Sequence, residues 1–233
     1  MKKLGIIGAM ESEIALLREK MTDCCQTECS GMVFYEGVLE GTPAVVALCG
    51  VGKVNAAMCV QVLCDLFSVS HVVNTGVAGS LCAELDIGDL VIGQQAIYHD
   101  FDCSELNSKY SVGQVPGLPV REFSADKALV EKAFLAANSI HSGHVKIGTV
   151  ASGDQFVCRK GKKQQIIENT GAICTEMEGA AIAHAAWRNG VPFVIVRAIS
   201  DKADDSAKMD YPTFEAIAAK RCAAVTCEMV KRI

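Results

Sequence analysis

A chain of 233 residues, 50% hydrophobic and 21% charged, can bury a sizeable core and has the balance of an ordinary folded protein. Its net charge of −5 and pI near 5.6 exclude the basic footprint expected of a nucleic-acid binder or of a protein held on anionic membranes by charge. No apolar run is long enough to span a bilayer, and no repeat or Pro/Gly/Ser linker divides the chain, so a single domain over residues 1–233 is expected.

The chain starts Met1-Lys2-Lys3-Leu4-Gly5-Ile6-Ile7-Gly8, and its apolar segment meets Glu11 and Glu13 too soon to be a signal-peptide core. Leu4 to Ile7 reads as a buried strand, turned by Gly8 into a helix from about Glu11 to Met21. Val33 to Leu39 and Ala44 to Leu48 read as a hairpin around Glu40-Gly41-Thr42-Pro43. A helix follows from Lys53 to Phe67. His71 to Asn74 reads as a strand entering a glycine-rich turn, Thr75-Gly76-Val77-Ala78-Gly79-Ser80. Leu90 to Tyr98 is strand-like, and His99 to Pro119 is polar and irregular, a length that points to a functional or interface loop.

Ser124 is a candidate cap for a helix from Ala125 to Asn138, and Val145 to Val150 is strand-like. Arg159, Lys160, Lys162 and Lys163 read as a solvated first helical turn, with Gln164 to Asn169 in that helix. A short strand, Ile173 to Thr175, precedes an alanine-rich helix from Met177 to Arg188. Phe193 to Val196 is a run of β-branched and aromatic residues suited to a strand covered on both faces, ended by Arg197, Ser200 and Asp201. Pro212 suits a helix start, with Phe214, Ile217, Ala218, Cys222, Val225 and Met229 on one apolar face. Strands and helices that interleave this way predict an α/β fold with a mixed sheet covered on both sides.

Twelve cysteines raise disulfides and metals, and their dispersal argues against both. No C-x-x-C pair occurs, and the tightest group is Cys24-Cys25 with Cys29. Reduced, small, buried cysteines in a cytoplasmic protein are expected. His141 and His144 form an isolated pair with no matching ligands at a suggestive spacing, so no metal site is expected.

Gly50-Val51-Gly52-Lys53-Val54-Asn55 carries half of a dinucleotide fingerprint, but Asn55 stands where the third glycine belongs. Such glycines mark close approach of backbone to a ligand or another chain. Carboxylates say more: Glu11 and Glu13 at the first strand-to-helix turn, Glu176 and Glu178 at another, and Asp201 closing a buried strand. Each alone fits a helix N-terminus stabilised by its dipole. Together, at the ends of different strands, they can also supply a general acid, a general base and an acceptor for sugar hydroxyls.

Five stretches now stand in order: Gly8-Ala9-Met10-Glu11-Ser12-Glu13, Asn74-Thr75-Gly76-Val77-Ala78-Gly79, Ser152-Gly153-Asp154, Glu176-Met177-Glu178 and Arg197-Ala198-Ile199-Ser200-Asp201. In order and separation they resemble the bacterial 5′-methylthioadenosine/S-adenosylhomocysteine nucleosidases of the nucleoside phosphorylase superfamily, over essentially the whole chain. The resemblance implies a three-layer α/β/α sandwich with a mixed central sheet, a homodimer, and hydrolysis of an adenine N-glycosidic bond without metal or organic cofactor. Methionine salvage is the implied setting, with 5′-deoxyadenosine a related substrate. It implies that Glu13 activates water, that Asp201 protonates adenine N7, and that a carboxylate Glu178 accepts from the ribose hydroxyls while Met177 packs on the sugar. Phe156 would stack on adenine and the Val157 backbone would read its polar edge. Arg197 would face Glu13 and organise it with the water. Ala9, Met10, Val51, Val77, Ala78, Gly79, Glu176, Ser200 and Tyr211 complete the implied substrate-binding set.

Against the family pattern, Val77 stands where many relatives have serine, leaving the backbone near Ala78-Gly79 to do that work, and Ser12 replaces a common acid. The loop from Phe101 to Pro116 looks longer than in some relatives and by resemblance reaches the partner subunit's pocket (residues 101–116). Three rival readings remain open: a phosphorylase of the same superfamily, a nucleosidase for 6-amino-6-deoxyfutalosine, and a non-catalytic nucleoside-binding module. Carboxylates at the first turn would repel the phosphate of the first. The last needs neither acid nor base.

Overall fold

The computed structural model describes residues 3–107 and 109–233. Met1 and Lys2 of the basic start, and Ser108 within the 101–116 loop, lie outside the described residues. Among the described residues ten strands form one mixed sheet. They are β1 (Leu4–Gly8), β2 (Met21–Cys29), β3 (Met32–Leu39), β4 (Thr42–Leu48), β5 (His71–Ser80), β6 (Leu90–Tyr98), β7 (Phe123–Ser124), β8 (Val145–Ser152), β9 (Cys174–Glu176) and β10 (Phe193–Asp201). The helices are α1 (Glu11–Lys20), α2 (Lys53–Asp65), α3 (Lys127–Ile140), α4 (Lys160–Thr170), α5 (Gly179–Arg188) and α6 (Ala207–Val230). The expected three-layer arrangement is present.

Strand β5 is the hub. Its first half pairs in parallel with β1, its whole length runs parallel to β10, and Gly79 and Ser80 pair antiparallel with β9. β10 also pairs antiparallel with β6, and β6 and β9 both pair with β8, so five strands close on themselves. β1 and β10 are buried at every residue, which is why both read as unbroken apolar runs. Alternate side chains face opposite layers: Leu4 and Ile6 belong to the core that includes residues of α1, α3 and α6, whereas Ile7 belongs to the core that includes residues of α2 and α5.

Four expectations are corrected. The segment 75–80 is not a turn but the second half of β5. Its glycines provide clearance: a Cβ on Gly76 would collide with the Glu13 and Arg197 side chains, and one on Gly79 would meet Asp201 Oδ1 at 2.8 Å. β2 was missed because its side chains are mostly exposed and show no apolar alternation. It is an edge strand held by pairing with β3, across a bulge at Thr22/Cys25. Asp126, not Ser124, caps α3 by accepting from Leu129 N, and Ser124 lies in β7. Finally, α6 begins at Ala207, placing Pro212 inside it, and Ile217 is 60% exposed while Ala218, Cys222, Val225 and Met229 are buried.

The Glu40-Gly41 hairpin forms as expected, with positive φ at both residues (48° and 83°). Among the described residues no helix is long and apolar enough to cross a membrane. The fold does bring a third potential ligand, Asp89, to His141 and His144, which the sequence did not reveal. The two imidazoles stack at 4.4 Å, and His141 Nε2 lies 3.2 Å from Arg221 Nη1.

Candidate active site

Glu13 occupies the first turn of α1, and its side chain folds back over the helix start. Oε2 accepts from the backbone N–H groups of Ala9 (2.7 Å) and Met10 (3.1 Å), and Oε1 from Val77 N (3.0 Å). The carboxylate thus ties the end of β1 to the middle of β5. Burial raises its pKa, while the charge of Arg197 and the three N–H donors pull the other way. A desolvated carboxylate held this way is a stronger base than one in water.

Arg197 crosses beneath the site and is 1% exposed. Its Nη2 pairs with Glu176 Oε2 and donates to Asn74 Oδ1 at 2.5 Å, and Nη1 donates to the Val77 carbonyl at 3.3 Å. Glu178 and Glu13 are farther, at 3.7 and 3.9 Å. Burial opposes its charge, but Glu176, Glu178 and Glu13 outweigh that and hold it protonated. The expected orientation toward Glu13 is therefore only part of the arrangement: Glu176 is the direct partner. Asp201 is not among the salt-bridge partners of Arg197 described in the structure.

Glu176 lines the cavity, yet both its oxygens are occupied by protein. Oε1 accepts from the Ser152 hydroxyl, and Oε2 takes Glu178 N (3.0 Å), Gly179 N (2.7 Å) and Arg197. It fastens the N-terminus of α5, where a carboxylate belongs electrostatically. Glu178 accepts from Gly52 N at 2.9 Å. Burial, then the charge of Glu176, pushes it up to about 8. In the free site burial therefore favours the protonated form of Glu178 over what an exposed glutamate would show.

Asp201 ends β10. Its Oδ1 accepts from Ala203 N (2.8 Å) and its Oδ2 from the Ser200 hydroxyl (2.9 Å). Ala203 adopts φ 51°, a left-handed conformation uncommon for a residue with a side chain. Burial raises the pKa of Asp201 above the ordinary aspartate value, and Asp210 and Asp204 add to the effect.

These groups meet in one cavity. Glu13, Asp201 and Glu178 line it together with Ala9, Met10, Val51, Val77, Ala78, Gly79, Phe156, Val157, Glu176, Met177, Ser200 and Tyr211. Arg197, expected among the binding residues, lies behind the wall. Phe156 is 48% exposed and meets the Tyr211 ring edge-on, with centroids 5.4 Å apart. The Tyr211 hydroxyl reaches Met10 Sδ at 3.3 Å, a contact made possible by the early start of α6. Gln155 and Thr175 also line the cavity and were missed. Asn74, which bridges Arg197 and the Ile7 carbonyl, did leave a trace: it is a lone amide within the run His71-Val72-Val73-Asn74.

The raised carboxyls make stability depend on pH. Between the ordinary carboxyl range and their raised values, the folded protein binds more protons than the unfolded chain, so stability falls as pH rises. Without ligand, the Tm difference between Glu178→Gln and the wild type should grow in favour of the variant from pH 5 to pH 8.5. Glu178→Gln keeps an acceptor for Gly52 N but has no proton to lose, so it should raise Tm at pH 8.5 by roughly 2–8 °C, as about 1–2 kcal/mol does in a domain this size. Thermal melts across that range check both.

The phosphorylase superfamily matches residues 3–231. The 5′-methylthioadenosine/S-adenosylhomocysteine nucleosidase of Oceanobacillus iheyensis is 40% identical over 231 residues, covering 99% of each chain. The crystal structure of the Neisseria meningitidis nucleosidase of the same name, in complex with methylthio-immucillin-A, superposes with a TM-score of 0.96 at 39% identity, covering 100% of both chains. A futalosine hydrolase from Helicobacter pylori superposes with a TM-score of 0.94 at 34% identity, covering 100% of this chain and 98% of that one. The chain belongs to the phosphorylase superfamily and, within it, to the 5′-methylthioadenosine/S-adenosylhomocysteine nucleosidases.

Proposed function

We propose that the chain, acting as one nucleosidase domain, hydrolyses the adenine N-glycosidic bond of 5′-methylthioadenosine and S-adenosylhomocysteine, releasing adenine and a 5-thio-substituted ribose. The observation that carries this reading is the pairing, in one cavity, of a carboxyl shifted toward its protonated form with a buried carboxylate fed by backbone N–H groups: Asp201 and Glu13. An N-glycoside breaks through an oxocarbenium-like state. Its barrier falls when the departing base gains a proton and water is deprotonated as it attacks. In this scheme Asp201 passes its proton to adenine N7, the bond from the anomeric carbon to nitrogen breaks, and Glu13 takes a proton from the water that adds to that carbon. Glu178 and Met177 hold the ribose, and the negative field of Glu13 favours charge developing on the sugar.

Phosphorolysis is disfavoured because the turn after β1 presents Glu13 rather than a cation. The likeness to a futalosine hydrolase keeps 6-amino-6-deoxyfutalosine as a second substrate class. Adenine release from each nucleoside, with and without phosphate, tests the assignment. We expect phosphate-independent release of free ribose product, with kcat/KM at least about 10²-fold lower for Glu13→Gln and for Asp201→Asn. Ribose 1-phosphate as product, or near-normal turnover by either variant, contradicts it.

The reading extends to a homodimer in the reducing cytoplasm, where twelve free thiols are stable. An apolar surface groove is lined by Val54, Ala57, Met58, Phe101 and Val115 beside Lys53 and Tyr98, and Val54 is 70% exposed. Patches of this kind mark association sites. Phe101 and Val115 belong to the 101–116 loop, which this arrangement would bring to the partner's pocket. Met58→Asp with Val54→Asp should convert a dimer to a monomer in sedimentation. A wild-type monomer at micromolar concentration would refute the arrangement.

A further inference from the structure

Gly52 and Lys53 sit at the start of α2, and their adjacent peptide N–H groups go to two different acids. Gly52 N donates to Glu178 Oε1 at 2.9 Å, and Lys53 N donates to Asp154 Oδ1 at 2.8 Å. Gly52 has φ 100°, so an L side chain there would be strained, and a Cβ would also meet Asp154 Oδ1 at 3.2 Å. The Lys53 ammonium donates to both oxygens of Asp100, at 2.7 and 2.6 Å. Asp100 Oδ2 in turn accepts from Asp154 N at 2.8 Å. The bonds form a ring: Lys53 side chain to Asp100, Asp100 to the Asp154 backbone, and the Asp154 side chain to the Lys53 backbone.

Three loops are joined by this ring. One carries Val51 and Gly52 on the Glu178 side of the cavity, one follows β6, and one carries Phe156 and Val157. None of the ring's side chains lines the cavity itself. We propose that Lys53, Asp100 and Asp154 form a positioning clamp that aims the Gly52 N–H at Glu178 and fixes the Phe156–Val157 wall of the cavity, so that its principal effect is on nucleoside binding. This rests on the hydrolase reading for its kinetic consequence, but the geometry of the clamp does not.

Lys53 and Asp100 are mostly buried, so their ion pair is less screened than a surface pair. Asp154 has a half-exposed side chain and can be truncated without opening the core. That makes it the residue to change. Asp154→Ala should raise KM at least about tenfold while kcat stays within about threefold, the pattern of lost binding rather than lost chemistry. Asp154→Asn keeps an acceptor for Lys53 N and should recover most of the affinity. A merely structural role would lower Tm or the active fraction and leave KM unchanged.

Amide hydrogen exchange supplies a readout independent of substrate. In Asp154→Ala the amides of Gly52 and Lys53 should lose protection together while the strands retain theirs. Survival of Gly52 protection in Asp154→Ala, or an unchanged KM, overturns the clamp. If the wild-type protein releases adenine from no nucleoside, the hydrolase reading fails and the exchange experiment still decides the clamp.

Discussion

A guanidinium with 1% of its surface exposed is tolerated only where carboxylates answer its charge, and the site is built around that constraint at Arg197. Three glutamates from two segments, the start of α1 and the turn from β9 into α5, lie within 4 Å of it: Glu13, Glu176 and Glu178. One cation among three acids would leave an excess of negative charge if all three were ionised. Burial raises Glu178 and Glu13, and Glu176 is bonded directly to Arg197 and to two backbone N–H groups. Asp201 stands outside this network with a hydroxyl and one N–H for partners, and burial raises it too. Removing Arg197 would leave buried acids uncompensated, a loss on the order of 3–5 kcal/mol.

The backbone accommodates this crowding through the two glycines of β5. Gly76 leaves room for Glu13 and Arg197 to cross the strand, and Gly79 leaves room for Asp201. β5 lies between β1, which delivers Glu13, and β10, which delivers Arg197 and Asp201. Parallel pairing brings the carboxyl ends of β1, β5 and β10 to one side, where ligands of α/β sheets bind. Architecture and chemistry therefore share a single requirement, close approach of charged side chains across a glycine-bearing central strand.

Much of this was legible in the residues. β1 and β10 announce themselves as apolar runs, and Glu13, Glu178 and Asp201 stand out as carboxylates where such runs end. What was hidden has common physical origins. β2 is stabilised by pairing at an edge rather than by burial, so it leaves no alternation to read. The start of α6 depends on the local turn at Asp204 and Ser206, which lies beneath any helical pattern and places Pro212 within the helix. The glycines of segment 75–80 carry the marks of a turn but serve as clearance, a distinction that only the neighbouring strands make visible. Glu176 and Glu178 are two residues apart with the same chemistry, yet one is consumed by Arg197 and the α5 N-terminus while the other remains available. Sequence spacing cannot separate such twins, because their difference lies in which backbone N–H groups reach them.

The claim on which the rest turns is that burial and the neighbouring Glu176 lift Glu178 above the ordinary carboxylate range despite the charge of Arg197. Titration of selectively ¹³C-carboxyl-labelled protein without ligand, with Glu178→Gln used to assign its signal, measures this directly. Glu178 should keep its proton through neutral pH and titrate near 8. A Glu178 signal that titrates in the ordinary carboxylate range, near 4.5, would contradict the account.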